Sequence, residues 1–267
     1  MTAFISFTSD FSLRDDSVGT VKGVMWRIAP HAVIIDILHA VPDYDVVRGA
    51  LSLEATLPYM PVGAHLAVVD PGVGTARRPL VISTSRGDHL VGPDNGLLLP
   101  AAEALGGVTS AHVLTNPTYM LSPMSATFHG RDIFGPAAAH LALGVAPASF
   151  GPSVSVESLV RPHLPAPQWR DGRLYTEVLY VDHYGNLRLS ARVADLSNHA
   201  APGQVVSVQV GERMVRCPWL RTFGGAEVGS PVLLEDSYWR LCLAINKASA
   251  ADLYGAAVGT PLVISTT

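Results

Sequence analysis

The chain has 267 residues and a formal net charge of −4, with 48% hydrophobic against 15% charged residues; this composition supports a large buried core and excludes a disordered chain. With no cluster of Lys or Arg, nucleic acid and an anionic membrane surface have no electrostatic case as partners. Cys217 and Cys242 make neither a disulfide framework nor a zinc motif, no apolar run reaches the ~18 residues of a membrane span, and no basic segment precedes an apolar stretch at the start, so a cytoplasmic protein with two reduced thiols is expected.

In chain order, Ala3 to Phe7 reads as a first strand. A helix over Ser17 to Ala29 follows, with Ser17 as N-cap, Val21, Val24, Met25 and Ile28 at helical spacing, and Pro30 as the stop. Ala32 to Ile37 is β-branched and reads as a buried strand, Asp45 to Leu57 as an amphipathic helix, and His65 to Val69 as another buried strand. Leu80 to Ser83 and His89 to Val91 are short strands around an Arg86-Gly87-Asp88 turn, and Gly92 to Gly96 is a second turn. Asp132 to Leu143 reads as an alanine-rich helix. Strands alternating with helices predict an N-terminal α/β domain over residues 1–160 with a central, mainly parallel sheet.

The pattern changes at Arg161-Pro162-His163-Leu164-Pro165-Ala166-Pro167, and residues 161–172 read as a proline-rich linker. Beyond it no long helix pattern appears. Leu174 to Val181, Gly203 to Val210, Pro231 to Leu234, Leu241 to Ile245 and Pro261 to Ile264 are strand-like runs between turns. Residues 173–267 are therefore expected to form a small antiparallel β-barrel, and the chain as a whole an α/β fold with a β-barrel C-terminal domain.

The candidate chemistry lies in loops. Asp10 stands where the first strand ends, on the edge at which open sheets bind ligands, and a carboxylate there can take both hydroxyls of a ribose. Asp15, Asp16 and Ser17 follow; the bland alternative is that they cap the next helix. Asp70-Pro71-Gly72-Val73-Gly74-Thr75-Ala76-Arg77-Arg78 follows a buried strand, with two glycines but neither the Walker lysine nor the dinucleotide fingerprint. Arg77, seven residues after Asp70, lets the loop fold back and pair them; the alternative is a structural ion pair. Arg78 is expected to face solvent or a neighbouring subunit. His129, in Thr127-Phe128-His129-Gly130-Arg131-Asp132, precedes a helix whose N-terminus keeps an imidazole neutral. Asp, Arg and His without cysteine suggest polar activation of water, and no paired-histidine spacing supports a metal. In Asp182-His183-Tyr184-Gly185-Asn186, Tyr184 suits stacking on a purine, Asn186 the edge of adenine and Asp182 an ammonium group; the alternative is a tight Gly-Asn turn.

These blocks resemble the S-adenosyl-L-methionine (SAM) hydroxide adenosyltransferases, the adenosine-forming SAM hydrolases related to fluorinase and chlorinase. The matching stretches are Thr8 to Phe11 with Asp15 to Ser17, Val69 to Thr75 with Arg77, Gly92 to Gly96, Thr127 to Phe134, and Asp182 to Asn186. The resemblance implies an N-terminal α/β domain, a C-terminal β-barrel, and a homotrimer with sites between one subunit's N-domain and its neighbour's C-domain. It implies that Asp10 holds the ribose hydroxyls, that Asp15 and Ser17 hold the methionine end with Asp182 and Ser237 of the neighbour, and that Tyr184 and Asn186 flank the adenine. Tyr44 would pack near the ribose, and Thr127 and Phe128 would line the substrate site. Asp70, Arg77 and His129 match the family's water-handling triad. In the halide enzymes the first and last of these positions are tyrosines, and a serine follows the second; here Asp70, His129 and Gly130 favour water. Tyr184 stands where a phenylalanine is expected, Leu189-Ser190 replaces Thr-Asn, and Ser237-Tyr238-Trp239-Arg240 matches the Gly-Tyr-Leu pattern poorly.

The implied reaction converts SAM and water to adenosine and L-methionine, with SAM as substrate and no cofactor or metal. The alternatives are a halide-using SAM enzyme, a non-catalytic adenosine- or SAM-binding protein, and a metal-dependent hydrolase using Asp10, Asp70 and His129.

Overall fold

The computed structural model describes residues 3–266, and the chain divides into two compact units, Met1–His163 and Leu164–Thr267. In the first unit, β1 (Phe4–Ser9) leads to α1 (Ser17–Ile28), β2 (Val33–Leu38), α2 (Val46–Thr56) and β3 (Ala64–Val68). Then come β4 (Pro79–Thr84), β5 (His89–Pro93), α3 (Leu99–Ala104), β6 (Val108–Val113) and α4 (Gly135–Ala142). The sheet has the order β2-β1-β3-β5-β4-β6. The pairs β1–β2, β1–β3 and β3–β5 are parallel, and β4 runs antiparallel to β5 and β6.

The central strands are buried on both faces, which explains their continuous apolar runs. Leu66 and Val68 join Ile5 and Phe7 in a core against Val18, Val21 and Met25 of α1 and the alanines of α4. Ala67 and Val69 point the other way, into a core with Leu53 of α2 and the Leu97–Ala102 region at α3. This is the two-residue period of a strand serving two cores.

In this unit four expectations need correction. β2 is not buried: it is the edge strand, and Val33 and Ile35 are 48% and 37% exposed. Ser17 is the first helical residue rather than the N-cap; Asp16 holds the cap position, and Asp15 Oδ1 accepts from the Ser17 N–H at 2.9 Å. Arg78 pairs with buried Asp94 and donates to the Ser158 hydroxyl and carbonyl, because Asp94 would otherwise be a buried charge without a partner. The helix expected from Asp132 begins earlier, as a π-turn over Gly130–Phe134 that leads into α4. Pro136 has no N–H to give the Asp132 carbonyl, which accepts instead from Leu121 at 2.9 Å, while the Gly135 N–H reaches back five residues to Gly130.

The second unit holds β7 (Gln168–Arg170), β8 (Arg173–Val181), β9 (Leu187–Arg192), the short α5 (Val193–Leu196), β10 (Val205–Val210) and β11 (Arg213–Leu220). It continues with β12 (Pro231–Glu235), β13 (Arg240–Ile245), α6 (Ala250–Tyr254) and β14 (Pro261–Thr266). The order β14-β10-β11-β12-β13-β9-β8 closes through β8–β14 into a seven-stranded barrel, whose β11–β12 pair is parallel. Residues 168–170, read from sequence as linker, pair as β7 on β8, anchored by Trp169 Nε1 donating to the Asp195 carbonyl at 2.6 Å. Closure leaves few edges, and Leu174, Val208, Trp219, Leu243 and Ile264 fill the interior. Both cysteines are buried, and burial pushes the Cys217 thiol up to about 12.

Among the described residues no helix is long and apolar enough to cross a membrane, and no three His, Cys, Asp or Glu side chains gather as ligands for a metal ion.

Candidate active site

The parallel pairing of β1 with β3 places Ser9 beside Val68, so the loops carrying Asp10 and Asp70 leave the sheet side by side. The Asp10 N–H donates to the Val68 carbonyl at 3.3 Å, and Asp10 Oδ2 accepts from the Tyr44 N–H at 3.1 Å. Burial raises the Asp10 pKa above its ordinary value, against the lowering effect of the Tyr44 hydrogen bond. Tyr44 itself is exposed and has a φ of +64°.

The loop after Asp70 folds back as its spacing predicts. Gly74 makes the turn at φ +74°, where an added Cβ would lie 2.6 Å from the Ala126 carbonyl oxygen. Arg77 Nε then donates to both oxygens of Asp70 at 3.0 Å, and its Nη2 donates to Asp70 Oδ2 and, at 2.7 Å, to His129 Nδ1. The Phe134 ring lies 5.1 Å from the guanidinium. Burial, then the Arg77 charge, lowers the His129 pKa, with Asp70 and Asp132 opposing. Because Arg77 donates to Nδ1, the neutral imidazole carries its proton on Nε2.

Asp10, Tyr44, Asp70, Thr127, Phe128, His129 and Gly130 line one cleft of about 320 Å³, together with Phe11, Asp43 and Val73, which sequence reasoning did not single out. A Cβ on Gly130 would come within 2.9 Å of the tip of the Phe11 ring, so a larger residue there would have to displace that ring. Asp15 and Ser17 do not line this cleft; they lie at the start of α1.

In the barrel unit, Asp182, Tyr184, Asn186 and Ser237 line a cleft of about 330 Å³, and Tyr184 and Asn186 also line one of about 510 Å³ beside Phe223, Asn246 and Lys247. Asp182 Oδ1 accepts from the backbone N–H groups of Tyr184 and Asn186 at 2.9 and 3.0 Å, and Oδ2 from Asn186 Nδ2 at 2.9 Å. The Gly-Asn turn is thus real, and it also presents its side chains to both clefts. Sequence reasoning missed Arg188 and Asp236 in the smaller cleft. The one available signal was a charged residue between Leu187 and Leu189, two fully buried strand residues.

The model of the SAM hydroxide adenosyltransferase N-terminal domain matches residues 5–151, and that of the C-terminal domain residues 176–263. The chain is 46% identical over 264 residues to an (R)-S-adenosyl-L-methionine hydrolase of Salinispora arenicola, covering 99% of this chain and 98% of the relative. A fluorinase of an Actinoplanes species is more distant, at 28% identity over 98% of this chain and 97% of its own length. The crystal structure of an uncharacterized conserved protein from Thermotoga maritima superposes with a TM-score of 0.92 at 32% identity, over 98% of this chain and 99% of that one. Both domains and the full length agree: the chain belongs to the SAM hydroxide adenosyltransferase family.

Proposed function

We propose that this protein hydrolyses SAM to adenosine and L-methionine, with water attacking C5′ in line as methionine leaves. The observation that carries this reading is the single guanidinium of Arg77 holding both Asp70 and His129 at the wall of the cleft that Asp10 also lines. The sulfonium departs as a neutral thioether, so the leaving group needs no acid and the reaction needs no cofactor. What the site must supply is an oriented, partly deprotonated water, whose pKa in bulk is about 15.7.

The tautomer of His129 divides the work. Nε2–H donates to the water oxygen and Asp70 accepts from its O–H, so the proton goes to Asp70 as the C5′–O bond forms. Positioning contributes on the order of 7–11 kcal/mol in the best cases. General-base assistance contributes roughly 10²–10⁴-fold. Asp10 takes the ribose hydroxyls beside Tyr44, Thr127 and Phe128, and Tyr184 and Asn186 take the adenine. Asp15 and Ser17 take the amino-acid end together with Asp182 and Ser237 of the neighbouring subunit. A homotrimer in the cytoplasm is part of the same reading.

A carboxylate at position 70 disfavours a halide in the same place, which argues against the halide-using alternative. The test is turnover of SAM in ¹⁸O-labelled water without added halide. Label in the 5′-hydroxyl of adenosine with equimolar methionine supports the proposal. A 5′-halo product in chloride or fluoride supports the halide enzyme, and tight adenosine binding without turnover supports a binding protein.

A further inference from the structure

The smaller cleft of the barrel unit contains a charged group that no expectation accounted for. Arg188 lies on β9 opposite Cys242 of β13, and its side chain is 13% exposed. Its Nη1 is 3.2 Å from Asp236 Oδ2 and its Nε 3.8 Å from Asp182 Oδ2. The first contact is not aligned as a hydrogen bond and the second is too long for one, so Nε, Nη1 and Asp236 Oδ2 all lack hydrogen-bond partners among the described residues. The guanidinium is also held between two rings, 4.9 Å from Tyr180 and 4.8 Å from Tyr238.

The consequence is geometric and electrostatic. Asp182 belongs to the turn between β8 and β9, and Asp236 to the turn between β12 and β13. Asp236 Oδ1 accepts from the backbone N–H groups of Tyr238 and Arg240 at 2.7 and 3.1 Å, as Asp182 Oδ1 does in its own turn. Each carboxylate thus organises one loop, and Arg188 lies between the loops, fixed by the tyrosines. The cleft is also lined by Arg221 and Glu235, so three carboxylates stand against two guanidinium groups and an excess of one formal negative charge remains, with Asp236 and Arg188 largely desolvated. Such a place favours a cation with several N–H donors, and a primary ammonium has three.

We propose that Arg188 is a positioning residue for the amino-acid end of the substrate: it sets the separation of Asp182 and Asp236, and this pair receives the α-ammonium group of the methionyl moiety. The proposal rests on the SAM reading above and adds Asp236 and Arg188 to it. Ser237, next to Asp236 on the same rim, then faces the carboxylate side of the same amino acid.

The test uses the full-length protein and its Arg188→Met, Arg188→Lys and Asp236→Asn variants, with thermal melting as the check of folding. Calorimetry, with adenosine saturating, compares L-methionine with 4-(methylsulfanyl)butanoate, the same acid and thioether without the ammonium group. The wild type is expected to prefer methionine by at least about tenfold, the scale of a charge-assisted hydrogen bond. Arg188→Met and Asp236→Asn should compress that preference by about tenfold, with Arg188→Lys partly restoring it. Adenosine affinity should stay within about twofold, and for SAM the KM should rise about tenfold while kcat holds, the signature of lost ground-state binding. A preference unchanged in the folded variants, or equal losses for both ligands, overturns the proposal and leaves SAM hydrolysis standing. A wild type that binds neither adenosine nor SAM overturns the SAM reading, and this proposal with it.

Discussion

Strand β3 carries an Asp–Arg–His network at each end, and the two are built to opposite purposes. At its start, His65 Nε2 donates to Asp88 Oδ1 at 3.0 Å while Nδ1 accepts from the Ser6 hydroxyl at 2.8 Å. Arg86 grips both oxygens of Asp88 at 2.7 and 2.9 Å and spends its other donors on the carbonyls of Leu57 and Pro58. The Gly63 N–H and the Thr84 hydroxyl complete the shell around an Asp88 that is fully buried. Just past the other end, Asp70, Arg77 and His129 use the same three residue types, but two of them line a cleft, and among the described residues no protein group bonds His129 Nε2. About 16 Å of extended chain separates His65 from Asp70. A closed polar network fixes a fold, whereas one with an open donor and acceptor has capacity left for a ligand.

The comparison breaks first under substitution at the open end. Asp70→Ala and His129→Ala should each lower kcat by about 10²–10⁴-fold. Adenosine affinity should survive better in His129→Ala, which leaves the Asp70–Arg77 pair intact. Wild-type turnover in both variants, measured by methionine release, would sink the triad assignment. Asp88→Ala at the closed end should do the reverse. It strands the buried ring of His65 along with the partly exposed Arg86 and should cost about 3–5 kcal/mol of stability in a denaturant titration, with kcat per folded molecule unchanged. Loss of activity without loss of stability in this variant would mean that the closed network is not merely structural.

How far this contrast was legible in the sequence follows from contact range. Asp70 and Arg77 are joined by a local loop with a glycine turn, so spacing sufficed. His129 reaches them only because the π-turn before α4 returns to the sheet, which a motif can suggest but a local pattern cannot derive. His65 and Asp88 carried no signal, since Arg86-Gly87-Asp88 reads as an ordinary surface turn and its burial depends on strand packing. In the barrel, β11 alternates cleanly, with Val215, Cys217 and Trp219 inward, but Pro218 disguised it. The edge position of β2 was hidden for the same reason: composition reports apolarity and not which strands flank it. Arg188 showed only as a charge between two leucines, because its partner Asp236 lies in a distant turn that the β9–β13 pairing brings beside it.

Acidification sharpens the comparison with less force. His129 has a pKa below its ordinary value of about 6.5, so the neutral form is favoured in the folded state. Protonating Nδ1 would oppose an N–H to the Arg77 donor. Turnover should therefore be level near neutrality and fall on an acid limb with its midpoint below about 6.5. The same lowered pKa means that the unfolded chain binds more protons in that window. The stability His129 contributes is present above about 6.5 and is lost as pH falls toward the folded-state value. Asp88 behaves otherwise. Burial alone would raise its pKa, but His65 and Arg86 hold it far below the usual carboxylate range, so its contribution persists until pH falls through that much lower value. Activity should thus vanish with near-ultraviolet circular dichroism still native, and simultaneous loss of both would contradict the separation.

The smallest effect is expected at Ser6. Its hydroxyl sits on β1 with no exposure and bonds only the inner nitrogen of His65, three residues before the Ser9 hydroxyl, which bonds His39 Nδ1 at 2.7 Å and accepts from the Phe11 N–H at 3.3 Å. The two serines therefore share a strand and a type of contact but differ in what lies beyond. Ser6→Ala removes one partner of a buried ring nitrogen and should cost about 1–3 kcal/mol of stability with kcat and KM unchanged. Ser9→Ala should cost a similar amount, about 1–3 kcal/mol, and also raise the KM for SAM, because Ser9 and His39 hold the loop that presents Asp10. Equal effects of the two substitutions on KM would mean that the strand transmits disturbance along its whole length, and that the closed end of the sheet is not insulated from the open one.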